Sequence, residues 1–512
     1  MDIRKVRFLE PGNLPYRRSL RNLVTYDKYL RNPALGLTLL ATIVRDRVPD
    51  TYFYSESIAR IDWADVLDAD LVFIGAFTFA APRAYELAAH IRANSDAMIV
   101  LGGMHPSLNY PEATEHADYV LLGEADESIL EFLDALAADR PIDFRGVAHR
   151  RDGRLVHTGE RVAPTDIERS PDHSLVHNYA AMVGHNALWP QVLASRGCPF
   201  RCDYCAVVRH WGKKMRGRTP EAVIADLHHT IDFYEQRRLP RLNKACWIVD
   251  DNFFALRPWA ISVLEAMAEE DFRGYRFTAQ ARWEVGLDDE LLELLKRAGF
   301  FELALGIEFL EDDSFEAYHK KCTHDDVLAS IRNIQRHGLN ARGLFILGAD
   351  THTAGVGDRL ADFVIDNDIR GMLVQSMYFV PGTPVWQTHQ HRLIHRDWSK
   401  FTGNVVHYPT NMTPAELNRE LVHASRKVYS VPRLLRSLVR DRGLNRLLFA
   451  GEFFWQRSVA ADRAREGRKL RHLPGPNSSA GSAQVVQRSL EPLNLPGQLP
   501  GVPGPDVGLQ NQ

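Results

Sequence analysis

Short apolar strands alternate with helical repeats twice along this chain, and that double alternation limits the fold more than any other feature. Up to about residue 135 the strand candidates are KVRFLEP, TYFYSES, LVFIGAF, MIVLGG and YVLLGE. Between them lie ALGLTLLATIVRD and APRAYELAAHIRA, with ADESILEFLDALAA last, each carrying apolar residues at helical spacing. Alternation of this kind, with buried strands, predicts an α/β fold with a doubly wound parallel sheet. Such sheets bind ligands beyond the carboxyl ends of their strands. Here those ends read Glu10-Pro11-Gly12, Ala76-Phe77-Thr78, Gly102-Gly103 and Gly123-Glu124.

A linker over 136–187 contains the β-like stretch GVAHRRDGRLVHTG. The second series follows, as QVLASRG, ACWIVDD, RFTAQAR, LALGIEF, ARGLFILGAD and MLVQSMYFVPG, with TPEAVIADLHHTIDFYEQ and DDELLELLKRAG among the intervening helices. It fits a partial (β/α)6 barrel of the TIM type as well as another open sheet; periodicity leaves both open. This second unit is expected over 188–410 and a helical, basic region over 411–472. The tail over 473–512 is rich in Pro, Gly, Ser and Gln, lacks a periodic apolar face, and is expected to be disordered.

Bulk properties exclude several classes. A formal charge of −3 gives no general pull toward nucleic acid or anionic membrane. No apolar run reaches the roughly 20 residues that span a bilayer. The opening MDIRKVRFLEP lacks the apolar region of a secretory signal, so a cytoplasmic protein is expected. There are only five cysteines, three of them at Cys198, Cys202 and Cys205. A disulfide framework needs more, spread more widely, whereas clustered thiols in a reducing compartment point to metal ligation. Cys246 and Cys322 stand alone and read as small buried or incidental residues.

The segment ASRGCPFRCDYCAVV places a C-x3-C-x2-C motif directly after a strand. Iron–sulfur clusters take thiolate ligands, and three ligands leave one iron open. The alternative is a closed zinc site of Cys3His type that would recruit His210. Pro199 and Phe200 fill the first gap, and Tyr204 directly precedes the last cysteine.

These residues resemble the signature of the radical S-adenosylmethionine (SAM) superfamily, over roughly 188–385. The resemblance implies a [4Fe–4S] cluster on Cys198, Cys202 and Cys205 whose open iron chelates SAM. Electron transfer into the sulfonium then releases a 5′-deoxyadenosyl radical, with the protein fixing geometry and excluding quenchers. It further implies SAM contacts at Tyr204, at Asp250 and Asp251 after the second strand, and at Gln280 and Arg282 after the third. Gly306, Ile307 and Glu308 resemble the G-x-I-x-G-x-x-E region in part. Gly343 and Gly348 flank a strand whose backbone could approach adenine.

The first unit resembles the Rossmann-like cobalamin-binding domain that precedes many radical SAM modules. The similarity lies in Asn32-Pro33…Gly36-Leu37, in LVFIGAF followed by a helix, in Gly102-Gly103-Met104-His105-Pro106, and in Gly123-Glu124. Thr78, Gly102, Gly103, Gly123 and Glu124 are its candidate cobalamin contacts. The cobalt-ligating D-x-H-x-x-G motif is missing, as it commonly is in cobalamin-dependent radical SAM enzymes, and His105 reads as a loop contact. A flavodoxin-like scaffold without cofactor is the alternative. No G-x-G-x-x-G is present, which weakens a dinucleotide reading. No cysteine precedes Cys198, which sets the chain apart from methylthiotransferases.

Together the resemblances imply a methylase that uses the radical to abstract hydrogen from an unactivated carbon and cobalamin to deliver a methyl group. SRGCPFRCDYC, VDDNF, GLFILGAD and PGTP at 381–384 are similar to hopanoid C-2 methylases and their relatives. A cyclase or rearrangement enzyme with the same cofactors, and a non-catalytic sensor, remain as alternatives. The implied partners are a small-molecule or lipid-like substrate and an electron donor such as flavodoxin or ferredoxin, with no nucleic acid. Residues 371–384 are expected to shape the pocket, and no catalytic side chain is singled out. His352, His389, His391 and His395 read as rim or surface residues. Between 411 and 475 fourteen Lys/Arg face six Asp/Glu, amid Leu, Phe and Trp. That segment is either a helical cap or a peripheral membrane contact.

Overall fold

The computed structural model describes residues 2–12, 32–179, 190–236, 244–441 and 443–473. The expected disordered tail lies outside them, apart from its first residue. The first unit is built on β1 (Lys5–Glu10), β2 (Asp50–Ser55), β3 (Leu71–Gly75), β4 (Met98–Gly102) and β5 (Tyr119–Leu121), all parallel, in the order β2-β1-β3-β4-β5. The order reverses between β1 and β3, which opens a crevice at their carboxyl ends. Helices cover both faces. In β3, Val72 and Ile74 pack with Ala84, Leu87 and Ile91 of the helix Ala81–Asn94. Leu71 and Phe73 pack the other way, with Val44 and Phe132. Alternate residues of a strand point to opposite faces, so a strand buried twice reads as an unbroken apolar run. The β-like stretch of the linker forms β6 (Val147–Arg151) and β7 (Arg154–His157), which extend this sheet antiparallel beyond β5.

In the second unit the short β8 (Gln191–Val192) begins a six-stranded parallel sheet. It continues through β11 (Ala245–Ile248), β12 (Arg276–Ala281), β13 (Phe300–Glu308), β14 (Asn340–Leu347) and β15 (Gly371–Ser376). Each strand pairs with the one before it and none returns. A sheet wound in one sense with helices outside is the wall of a (β/α)6 barrel, not a second doubly wound sheet. Sequence signals fix the helix starts. Thr219 caps Pro220–Glu235 by accepting from the Ala222 N–H, and Thr323 and Asp326 form a capping box at His324–Arg336.

Three helices close the described chain: Pro414–Val428, Val431–Arg440 and Gly443–Leu470. The first packs on β15 and on the helix Val356–Asp366. Among the described residues no helix is long and apolar enough to cross a membrane.

Candidate active site

The chain leaves β8 and enters β9 (Ser195–Arg196), which pairs antiparallel with β10 (Arg216–Gly217) and so closes residues 197–215 into a loop. Gly197 has φ +95°, and a Cβ there would stand 2.3 Å from the Lys214 carbonyl oxygen, so only glycine fits. Within the loop the Cys198 N–H donates to the Gly212 carbonyl at 3.2 Å, and the Cys205 N–H to that of Cys202 at 3.1 Å. All three thiols are partly exposed. Burial raises the Cys198 thiol, and burial pushes Cys205 up to about 12; Cys202 and Asp251 add to both. Sulfurs that act on one another in this way surround one recess. Cys198 and Cys205 stay neutral thiols until a cation offsets their burial, which is the chemistry of a metal-loading site.

Among the described residues no three His, Cys, Asp or Glu side chains converge on a single ion. Thiolates that each bind a different iron of a cluster need not do so. His210 does not join them. It packs edge-on to Trp211 with its Nδ1 buried and unpartnered, so the Cys3His alternative is not assembled.

Around this recess the expected SAM contacts divide. Asp251 faces it: open to solvent yet walled by protein, its carboxyl is pushed up to about 6 by burial, against a hydrogen bond from Trp211. Arg282 stacks on Phe200 of the motif, 3.8 Å from the ring centroid, and pairs with Glu284 at 2.8 Å. Gln280 lies on β12, half-buried, without a polar partner among the described residues. Tyr204 lies edge-on to Phe309 at 5.8 Å, where burial raises its phenol and the charges of Glu308 and Cys202 add to this. Glu308 takes φ +70° beside a bulge in β13, a costly conformation for a residue with a side chain. The Lys320 ammonium stands 3.6 Å from it and donates to the Gly306 carbonyl.

Asp250 corrects its expected role. It is fully buried and accepts from the Ala194 N–H at 2.8 Å and from the Ser195 hydroxyl. Its carboxylate holds the backbone that leads into the cysteine loop. Burial pushes it up to about 7.

The carboxyl ends of the first sheet face this same loop. Thr78 is buried, while its neighbours Phe77 and Phe79 are 49% and 37% exposed and stack with centroids 5.9 Å apart. Gly102 ends β4. Gly103, at φ +85°, lets the chain pass so close to Ala76 that a Cβ would lie 3.0 Å from the Ala76 nitrogen. His105, in the short helix Met104–Leu108, is buried against Trp398 and stands 3.6 Å from Glu112. Gly123 lies against the His210 carbonyl.

Glu124 departs from the cofactor-contact expectation. Its buried carboxylate is shared by Arg196 (2.8 Å) and Arg216, the two arginines of the β9–β10 hairpin. Asp126 takes the other side of Arg196 at 2.9 Å. This buried cluster of charges fixes the first unit to the base of the cysteine loop.

Residues 192–363 match the family model of the Radical SAM superfamily. The matched segment contains the cysteine loop and the strands β11 to β14. The chain is 26% identical to bacteriochlorophyllide d C-12(1)-methyltransferase of Chlorobaculum tepidum, over 77% of this chain and 82% of that protein. It is also 26% identical to the hopanoid C-2 methylase of Rhodopseudomonas palustris, over 71% of this chain and 66% of that protein. Among solved structures it shares the fold of the radical SAM methyltransferase TsrM of Kitasatospora setae, determined with cobalamin and a [4Fe–4S] cluster bound. That match has a TM-score of 0.65 at 13% identity and covers 92% of this chain and all (100%) of that one.

Within the radical SAM domain two residues, Lys320 and Trp211, escaped the sequence reading, and a third lies in the stretch 371–384 that was expected to shape the pocket. Tyr378, just past the end of β15, is close enough to Cys205 and Glu308 to feel both charges. Lys320 and Trp211 reach the recess from segments with no motif. Only for Tyr378 was there a signal, its position at the end of an apolar strand. A polar cleft lined by Glu302, Asn340, Arg342 and Glu452 lies at the amino ends of β13 and β14, the end of a parallel barrel that does not carry chemistry.

Proposed function

We propose that this radical SAM enzyme is a cobalamin-dependent C-methyltransferase that acts on an unactivated carbon of a small, lipid-like molecule. One observation carries the reading: the carboxyl ends of the first sheet and the cysteine loop of the barrel face each other, joined through Glu124, Arg196 and Arg216. Two cofactors held at those ends would address one substrate from opposite sides. A [4Fe–4S] cluster on Cys198, Cys202 and Cys205 would supply the electron that splits SAM into methionine and a 5′-deoxyadenosyl radical, and a corrinoid at the first sheet the methyl group.

The chain's own residues do the positioning. Asp251 offers a carboxylate to the SAM amino group. Arg282, held flat on Phe200, offers a guanidinium to the SAM carboxylate. Phe77 and Phe79 present ring faces to a large planar ligand, and the close passage at Gly103 keeps the adjoining backbone compact. Tyr204, Phe309 and Tyr378 wall the recess against water. A flavodoxin or ferredoxin is the fitting electron donor.

The test is anaerobic reconstitution with iron, sulfide and cobalamin, then reduction and product analysis of SAM. Methyl transfer yields S-adenosylhomocysteine together with 5′-deoxyadenosine. 5′-Deoxyadenosine alone would replace this reading with cyclisation or rearrangement, and intact SAM would leave a cofactor-binding sensor.

A further inference from the structure

The helix Val431–Arg440 (VPRLLRSLVR) is packed inside out. Arg433, Ser437 and Arg440 turn to the protein. Arg433 donates to the carbonyls of Val428 (3.0 Å) and Ile369 (3.2 Å), and Arg440 pairs with Asp368 (2.9 Å) and Asp441 (3.2 Å). Ser437 is buried and donates to Asp441 at 2.6 Å, and Arg370 holds the same carboxylate. Leu434 packs against the core, and four other apolar side chains face solvent. Val431, Leu435 and Val439 are 52%, 58% and 86% exposed, and Leu438 is 39% exposed. Their spacing sets them in one stripe along the helix. Phe454, on the following helix, is a further exposed apolar residue at 53%. Globular packing normally buries such a stripe, so this face is made to meet something apolar.

The charges around it choose the occupant. Between residues 431 and 461 the acidic residues are Asp441 and Glu452, and both are buried in ion pairs with arginines. The solvent-facing charges on this segment are Arg436, Arg440, Arg446 and Arg457, and the exposed Asp368 beside them is paired with Arg440. A second copy docked through a twofold axis would set this cationic rim against itself. A bilayer with anionic headgroups would receive both the apolar stripe and the rim.

We propose that this face rests on an anionic membrane surface. Asp368 and Arg370 directly precede β15, so the face lies at the amino ends of the barrel strands, away from the strand ends that carry the cysteine loop. The reaction site therefore points away from the lipid. The attachment is independent of which reaction the enzyme runs, and a failure of the proposed chemistry would leave it standing.

The test is co-sedimentation of the full chain with vesicles of phosphatidylcholine, alone and mixed with phosphatidylglycerol. Binding is expected to the mixed vesicles only, and to weaken as salt is raised. The double substitution Leu435→Glu with Val439→Glu is expected to lower the bound fraction about tenfold or more, and Arg436→Glu to lower it less. All three positions are exposed, so an unchanged melting temperature shows that the variants fold. The proposal is overturned if the wild-type chain ignores anionic vesicles, or if the double variant binds as well as wild type. It is equally overturned if light scattering finds a wild-type dimer that the double variant dissolves, since the face would then belong to a second copy.

Discussion

The two parallel sheets solve one problem, holding a ligand at the carboxyl ends of strands, by opposite means. The first sheet reverses its strand order between β1 and β3 and offers backbone, small residues and the exposed rings of Phe77 and Phe79. The barrel keeps its order and offers thiols, a guanidinium and carboxylates. A surface of the first kind recognises shape and area; one of the second recognises particular atoms. Substitutions should therefore act abruptly in the barrel and gradually in the first sheet.

The largest effect is expected at the thiols. Replacing any one of Cys198, Cys202 or Cys205 with Ala should abolish the visible absorbance of the reconstituted cluster and all 5′-deoxyadenosine formation. Full SAM cleavage in each of the three variants would remove the contrast altogether.

Next comes the joint between the units. Glu124→Ala would take the carboxylate from buried Arg216 and leave Arg196 with Asp126 alone, which costs about 3–5 kcal/mol. A large drop in melting temperature is expected in the apo protein, before any cofactor is added. A change of under about 0.5 kcal/mol, as at an ordinary surface site, would mean that the units dock without this cluster.

Two buried sites, one in each unit, should also answer acid in opposite senses. In the barrel, burial pulls His352 down to about 4 and His407 down to about 3. An unfolded histidine titrates near about 6.5, so below that pH the open chain takes protons that the fold refuses. Stability from these groups falls as the pH drops from 6.5 toward 4, with Asp250 partly offsetting it. In the first sheet, burial pushes Glu10 up to about 7 from 4.5. Between those values the fold keeps a proton that the open chain has lost, so acid favours it. Hydrogen exchange compared at about pH 5 and about pH 7.5, corrected for intrinsic rate, should show weaker protection at Gly348 in acid. Its N–H donates to His352 at 3.1 Å. Protection should strengthen at Ala34, whose N–H donates to Glu10 at 3.2 Å. Parallel changes at both amides would refute the opposition.

The smallest effect is expected at Phe77→Ala and Phe79→Ala. An aromatic contact is worth about 0.5–1.5 kcal/mol, so each should weaken cobalamin retention by roughly two- to tenfold and leave the melting temperature unchanged. Unaltered retention in the double variant would take the corrinoid off this edge.

The same division explains what could be read in the sequence. The cysteine loop was legible because three ligands, and the glycine that lets the loop close, lie within a few residues of one another. The strand series was legible because burial on both faces leaves unbroken apolar runs. Asp250 and Glu124 were misplaced because each stands at a strand end where a ligand contact is plausible. What decides their role is a partner far along the chain: Ala194 and Ser195 for one, Arg196 and Arg216 for the other. Lys320 and Tyr378 belong to the recess only once β13, β14 and β15 have paired in that order. The stretch GVAHRRDGRLVHTG reads as β-like, but its pairing with β5 depends on a strand some 26 residues upstream (Leu121 opposite Val147).

The charge cluster at Glu124 also bears on how the protein is made. A growing chain releases its first domain first, and domains generally fold as units. The sheet that carries Glu124 and Asp126 is then complete before the arginines at 196 and 216 emerge. The cysteine loop closes onto a surface already in place, so the order of synthesis makes the amino-terminal half a mould for the pocket that iron and sulfide must later fill.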